Sequence, residues 1–319
     1  MIPGTHSHST VGTQSETGEE RAGTEIASDT TCAWCGARLH VEGGSGTLPC
    51  ASCGAETSWP VPTEEELNRA YGSWYRPARG RFAGLGDRLL RGLRGRTARR
   101  LDRIAPPGRV LDVGAGDGAL LDALSALGRP ATGLERHSTR EDVREAGLAD
   151  LQEGWAAIVF WHSLEHLREP GAALEEAARL LDRDGVLLVA MPNLASLQAR
   201  AFGDRWFALD MPRHLVHVPA PALLRRIRSL GMRPTRVSYW RGGQVVFGWL
   251  HGLVGSLPSH PDLYDAIRMP EARRTALSWP RRMLTLAVAT LALPVAVSCA
   301  AIEVLLRRGG TVYVEARRA

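Results

Sequence analysis

One stretch near the middle of this 319-residue chain restricts its fold more than any other. Val110-Leu-Asp-Val113 is a short apolar strand. It breaks into Gly114-Ala-Gly116-Asp-Gly118 and resumes as a helix carrying Leu120, Leu121, Leu124 and Leu127. A strand that passes through glycines into a helix brings backbone amides close to a ligand that side chains would exclude. Further strands are expected at Ala131–Glu135, Ala156–Trp161 and Gly185–Met191, with a helix over Gly171–Leu181. Strands alternating with helices imply an α/β fold, a parallel sheet covered on both faces.

The glycines alone leave the ligand open. Gly114, Gly116 and Ala119 also satisfy the dinucleotide pattern GxGxxG/A, with an acid, Glu135, near the spacing at which a ribose is gripped. A nicotinamide-dependent oxidoreductase is therefore one reading of the turn.

Three other segments favour a different reading. VLDVGAGDG, with Asp112 inside the strand, resembles the first motif of class I S-adenosylmethionine-dependent methyltransferases. Trp161 is followed by His162-Ser-Leu-Glu165-His166-Leu-Arg-Glu-Pro170, similar to the LEH…P segment of that superfamily. Gly185–Asn193, ending Met-Pro-Asn, resembles its fifth strand. The two CxxCG pairs, the run P-x-P-T-E-E-E-L and Asp210-Met-Pro-Arg213-His214-Leu-Val-His217 are similar to a bacterial subgroup of the ubiquinone-biosynthesis type with an N-terminal zinc ribbon.

The resemblance implies a Rossmann-like sheet with S-adenosylmethionine as cofactor. Gly114, Gly116 and Gly118 would lie against its methionine and ribose, and Asp112 would fix the turn or meet its amino group. Glu135 would take the ribose hydroxyls. The interval from Glu135 to Ile158 is short, so the third strand is expected to be brief, around Ala149–Leu151, with Asp150 near the adenine amine. Methyl transfer asks mainly for alignment and exclusion of water. A hydroxyl acceptor also profits from a base near neutral pKa. Four histidines lie in the right segments: His162, His166, His214 and His217. His166, at the mouth of the sheet, ranks first and His214 second. Trp161 reads as packing.

Cys32-Ala-Trp-Cys35-Gly and Cys50-Ala-Ser-Cys53-Gly can place four thiolates around one zinc ion. All four positions are protein ligands, so the expected metal is structural. Residues 1–30 lack an apolar run, so no signal peptide is expected, and a cytoplasmic setting favours metal over disulfides.

The organisation expected is a disordered tail over 1–30, a zinc ribbon over 31–62, a helical cap over 63–107, a core over 108–240, an apolar insertion over 241–308 and the last strand over 309–319. In the cap, Thr63 begins one helix, and a second has Phe82, Leu85, Leu89, Leu93, Leu101 and Ile104 on one face and arginines elsewhere. The insertion separates strands expected at Arg233–Trp240 and Thr311–Glu315, far beyond hairpin length. Within it, Leu284–Ile302 is an uncharged run flanked by Arg281-Arg282 and Arg307-Arg308. Both ends must lie on one side if the last strand joins the sheet, and arginines at both flanks agree. Peripheral or re-entrant attachment at the inner membrane face follows, with Gln244–Leu257 as packing partner and Pro294 able to kink the run or turn it into a hairpin. The alternative is a helix buried in a lid or dimer interface.

The acceptor expected is a small molecule or a lipid-linked one. Nucleic acid is not expected: the net charge of +5 comes with arginine alone and no lysine, a bias of composition rather than a binding patch. O-methylation at the membrane face leads; a nicotinamide-dependent oxidoreductase and a non-catalytic zinc-ribbon scaffold stand beside it.

Overall fold

The computed structural model describes residues 30–41, 44–72, 82, 85–136, 138, 140–240, 243–258 and 261–319. The expected tail, Thr30 apart, lies outside them, as does most of the Tyr71–Arg76 segment.

At the N-terminus, β1 (Gly46–Pro49) and β2 (Glu56–Trp59) form an antiparallel hairpin. Helix α1 (Glu64–Ala70) starts where expected: Thr63 and Glu66 close a reciprocal capping box that satisfies two backbone donors. Helix α2 (Leu85–Ile104) turns Thr97, Ala98 and Leu101 inward. Leu93, expected on that face, is 40% exposed; small residues let this end of the helix approach the sheet.

Next come β3 (Val110–Val113), α3 (Ala119–Ser125), β4 (Ala131–Leu134), β5 (Val143–Arg144), β6 (Trp155–Trp161), α4 (Pro170–Leu180), β7 (Leu181–Pro192) and α5 (Leu197–Phe202). After them stand β8 (Val216–His217), α6 (Ala220–Ser229), β9 (Met232–Ser238), α7 (Gly243–Gly255), α8 (Leu263–Ile267), α9 (Trp279–Leu305) and β10 (Thr311–Arg318). The main sheet has the order β5-β4-β3-β6-β7-β10-β9, and β10 runs antiparallel to both neighbours. Its central strands are largely apolar: Val110, Leu111, Ile158, Val159, Phe160, Leu187 and Leu188 are all buried, as a parallel sheet covered on both faces requires.

Two expectations are corrected. The third strand is Val143–Arg144, not Ala149–Leu151. Val143 supplies the apolar contact at the sheet edge, packing with Ala115 and Leu121. Residues 148–150 instead form a 3-10 turn in which Asp150 Oδ2 accepts from the Gly147 amide at 3.0 Å. The apolar run forms one helix, α9, that continues through Pro294 without a hairpin.

The ribbon is not a detached module. Strand β8 adds to β2 as the third strand of its small sheet, pairing Glu56 with His217 and Thr57 with Val216. Trp34 and Leu48 share one buried cluster with Leu174, Phe160 and Val312 of the main domain.

Candidate active site

The strand order reverses direction between β3 and β6, and ligands of open α/β sheets bind at the C-terminal ends of the strands flanking such a point. There the turn after β3 holds Gly114, Gly116 and Gly118 at φ of 79°, 66° and 76°, a region costly for residues with a Cβ. At Gly114 space is also short: a Cβ would lie 2.4 Å from Ser163 Cβ, so the turn and the mouth of β6 touch. The Gly116 amide donates to Glu135 Oε2 at 2.8 Å, and the Arg136 amide to Glu135 Oε1 at 3.0 Å. Glu135 thus faces the turn across the ends of β3 and β4.

Asp112 is buried, and its Oδ1 has no hydrogen-bond partner. Burial raises its pKa to about 7, against the pull of the Arg94 charge. A buried carboxylate held this way is short of a cation or donor. These residues fit an adenosyl-amino acid: glycines for close approach, Glu135 for hydroxyls, Asp112 for an ammonium. Asp150, by contrast, is exposed on its 3-10 turn. Trp161 stands edge-on to Tyr313, with the Arg94 guanidinium 4.8 Å from its ring centre, a packing role.

Beside the turn, with His162 in its lining, opens a cleft of about 950 Å³. Its lining includes Glu165, His166 and His214, with Gln244, Gly248 and His251 from α7 and Tyr264 and Arg268 from around α8. Neither Glu135 nor any of Gly114, Gly116 and Gly118 lines it; it is a compartment next to the glycine turn. His162 closes β6 at φ 53°, an unfavourable conformation for a histidine.

Glu165 lies at the centre of this cluster, fully enclosed. His162 Nδ1 is 3.4 Å from its Oε1 and His214 Nε2 4.0 Å. Burial opposes its ionisation, but the imidazoles of His162, His214 and His166 outweigh that and bring its pKa to about 2. His166 Nδ1 lies 2.9 Å from the Arg213 carbonyl and 3.0 Å from the Tyr71 hydroxyl; His214 Nδ1 lies 2.8 Å from the Ala208 carbonyl. A carbonyl can only accept, so each of these Nδ1 atoms carries a proton and donates it. Burial, reinforced by His166, holds His214 well below the usual histidine range. Burial brings His217 down to about 4.

The ribbon positions this cluster. Ser58 donates through Oγ to the His214 carbonyl at 2.7 Å and through its amide to the Leu215 carbonyl at 2.9 Å. Within the ribbon, Cys32 Sγ lies 3.7 Å from Cys53 Sγ, and Cys35 Sγ 3.6 Å from Cys50 Sγ; all four sulfurs fall within 4.8 Å of one another. Sulfurs at ~2.3 Å from a tetrahedral zinc are about 3.8 Å apart, so the set fits that ion. The atoms of Glu165, His166 and His214 also lie within 4.8 Å of one another and could hold a divalent cation.

Sequence reasoning brought together the glycines, Asp112, Glu135, His166 and His214. It did not single out Glu165, although the LEH signal contains it, nor Tyr71 and Ser58, whose roles arise from contacts distant in sequence.

A mostly parallel sheet with an antiparallel β10 beside β7, and a glycine turn at the switch point, define a Rossmann-like α/β domain. Residues 86–236 match the family described as a methyltransferase domain. The chain is 30% identical over 136 residues to a ubiquinone biosynthesis O-methyltransferase of Xanthomonas campestris pv. campestris, covering 36% of this chain and 57% of that protein. It is 30% identical over 129 residues to the protein of the same description from Xanthomonas oryzae pv. oryzae, covering 34% and 54%. The chain thus spans little more than half the length of these relatives. It is also similar to a solved S-adenosylmethionine-dependent methyltransferase of Archaeoglobus fulgidus, at 18% identity and a TM-score of 0.40, over 73% of this chain and 97% of that one.

Proposed function

We propose that the protein transfers a methyl group from S-adenosylmethionine to an oxygen of a small-molecule acceptor seated in the cleft. The observation that carries this is the contact between two compartments. The glycine turn, with Asp112 and Glu135, touches the mouth of β6 at Ser163, and the next compartment is lined by the Glu165–His166–His214 cluster. When bound, the cofactor supplies an electrophilic methyl on a sulfonium. The chain's part is to hold it through Gly114, Gly116, Gly118, Asp112 and Glu135, and to align the acceptor. Asp150 stays the candidate acid for the adenine amine.

His166 is the base in this reading. It lines the cleft half-buried, its Nδ1 is fixed by the Arg213 carbonyl, and its Nε2 is available for the acceptor's proton. His214 ranks second, because the burial that lowers its pKa weakens it as a base. The apolar insertion beside the cleft favours a lipid-linked acceptor, met at the cytoplasmic membrane face.

Transfer of labelled methyl to membrane-lipid extracts and to soluble metabolites tests the activity, with calorimetry on S-adenosylhomocysteine and NADH beside it. S-adenosylhomocysteine is expected to bind and NADH not to; the reverse would restore the oxidoreductase. His166→Gln should lower kcat on the order of 10²–10⁴-fold while leaving S-adenosylhomocysteine affinity unchanged. Cofactor binding without turnover on any acceptor would favour the scaffold.

A second reading of the cleft rests on the proximity of Glu165, His166 and His214. A divalent cation held there would acidify an acceptor hydroxyl directly. Turnover that rises on adding magnesium or manganese, and falls with Glu165→Gln, separates this from unaided base catalysis.

A further inference from the structure

Helix α9 is built in reverse for a water-soluble domain. A soluble amphipathic helix turns its large apolar residues inward. Here the inward positions are Thr285, Ala289, Ala296, Ala300 and Glu303, whereas Leu284, Leu291, Ile302 and Leu305 are 67%, 80%, 53% and 82% exposed. At ~100° per residue, the outward residues Leu284, Leu291, Val295, Val297, Ile302 and Leu305 sweep about half the circumference. Small residues at the seam and large ones outside are the arrangement of helices packed within lipid.

The charges obey the same division. Glu303, the only acid in α9, is turned inward, where the Gln198 amide (2.9 Å), Gln198 Nε2 (2.8 Å) and Trp249 Nε1 (2.9 Å) donate to it. From Leu284 to Leu306 the outer surface is therefore uncharged. Arg281 and Arg282 stand at one end, and Arg307 and Arg308 at the other.

The connection from α7 to α9 decides the orientation. It carries Asp262, Arg268, Glu271, Arg273 and Arg274. A hairpin that pushed this end into hydrocarbon would bury all those charges. The opposite end of α9 leads within a few residues into β10, which is paired to β7 and β9. Neither end is free to cross a bilayer.

We propose that α9 lies in the plane of an anionic lipid leaflet, its Leu284–Leu305 face sunk into the acyl boundary and its arginine pairs at headgroup level. This deepens the membrane-face reading above by fixing the depth, orientation and lipid charge of the attachment. Helix α7 packs on α9 through Val245 and Trp249, and its Gln244, Gly248 and His251 line the cleft. The leaflet therefore holds the helical hairpin that walls the acceptor site.

The full chain is tested by flotation with vesicles of phosphatidylcholine alone and of phosphatidylcholine with phosphatidylglycerol. Flotation is expected with the anionic vesicles and much less with the neutral ones. Leu284→Glu with Leu291→Glu should reduce the floated fraction at least on the order of tenfold. Arg281→Gln, Arg282→Gln, Arg307→Gln and Arg308→Gln together should remove the preference for anionic lipid. An environment-sensitive thiol probe should shift to the blue on vesicle addition at Leu291→Cys but not at Glu271→Cys, each relative to the unsubstituted chain.

No flotation, equal flotation with both vesicles, or a blue shift at both probes would overturn the proposal. So would a dimer in sedimentation that the leucine variants split, since the face would then belong to a second copy. S-adenosylhomocysteine calorimetry on the same preparations shows that the variants are folded. It also separates the two ideas: a chain that floats but does not bind S-adenosylhomocysteine leaves the leaflet proposal standing and removes the methyltransferase reading.

Discussion

Gln198 Nε2 donates to Glu303 Oε2 at 2.8 Å, tying a wall of the cleft beside the glycine turn to the apolar helix. The Gln198 amide and Trp249 Nε1 donate to the same carboxylate, so Glu303 gathers α5, α7 and α9 at one buried point.

Glu303→Ala would leave three buried donors without their acceptor. At roughly 1 kcal/mol or more for each, a loss of about 3 kcal/mol is expected in urea unfolding. Glu303→Gln, which retains an acceptor oxygen, should cost less. A loss below about 1 kcal/mol for the alanine variant would show that the clamp is not structural.

Gly114 and Gly128 separate two effects of a positive φ. Both lie there, at 79° and 70°, but an added Cβ meets Ser163 at the first and nothing within 4 Å at the second. Gly128→Ala should cost about 1–2 kcal/mol from backbone conformation alone. Gly114→Ala should cost more and also weaken S-adenosylhomocysteine binding in calorimetry. Equal losses at the two sites would mean that the contact between the turn and β6 carries no weight.

Asp112 holds its proton more tightly in the folded chain, at about 7, than its ordinary value of 3.8. Its contribution to stability is therefore complete below pH ~4 and is lost as pH rises through about 7, by up to about 4 kcal/mol. Asp112→Asn, free of this titration, should gain stability relative to the parent as pH is raised from acid to neutral. It should also bind S-adenosylhomocysteine more weakly, having lost the charge that meets an ammonium. A stability difference independent of pH would contradict the burial assigned to Asp112.

The four-cysteine cluster and the cleft are connected through Ser58, whose hydroxyl and amide donate to the carbonyls of His214 and Leu215. Stripping zinc, or Cys50→Ser, should lower turnover while cofactor affinity changes little, because the glycine turn lies in the other compartment. Ser58→Ala should reproduce part of the effect with zinc content intact by metal analysis. Cofactor affinity and turnover falling together would show that the ribbon instead supports the whole domain.

Much of the fold could be read from local chemistry. Strand β3, the glycine turn and α3 are specified by neighbouring residues: an apolar run, positions that tolerate positive φ, and leucines at helical spacing. The CxxC pairs and the Thr63–Glu66 cap are equally local, so their geometry follows from spacing. The third strand was misplaced because Val143–Arg144 is too short to show a pattern, and its pairing with Gly133 and Leu134 is what makes it a strand. The inward face of α2 was misread at Leu93 for a related reason, since the neighbour across the interface decides which face is buried.

What the sequence by itself determined is the set of short-range elements and the chemistry each carries: the strand and glycine turn, four thiolates, the histidines and an uncharged run of helix. Which of these meet was decided only by the tertiary structure. It brought Tyr71, Glu165, Arg213 and His214 around one imidazole, made β8 part of the ribbon, and turned the leucines of α9 outward. The physical reason is that periodicity reports that a residue is apolar or ionisable, whereas burial, proton affinity and access depend on neighbours that chain closure supplies from far along the sequence.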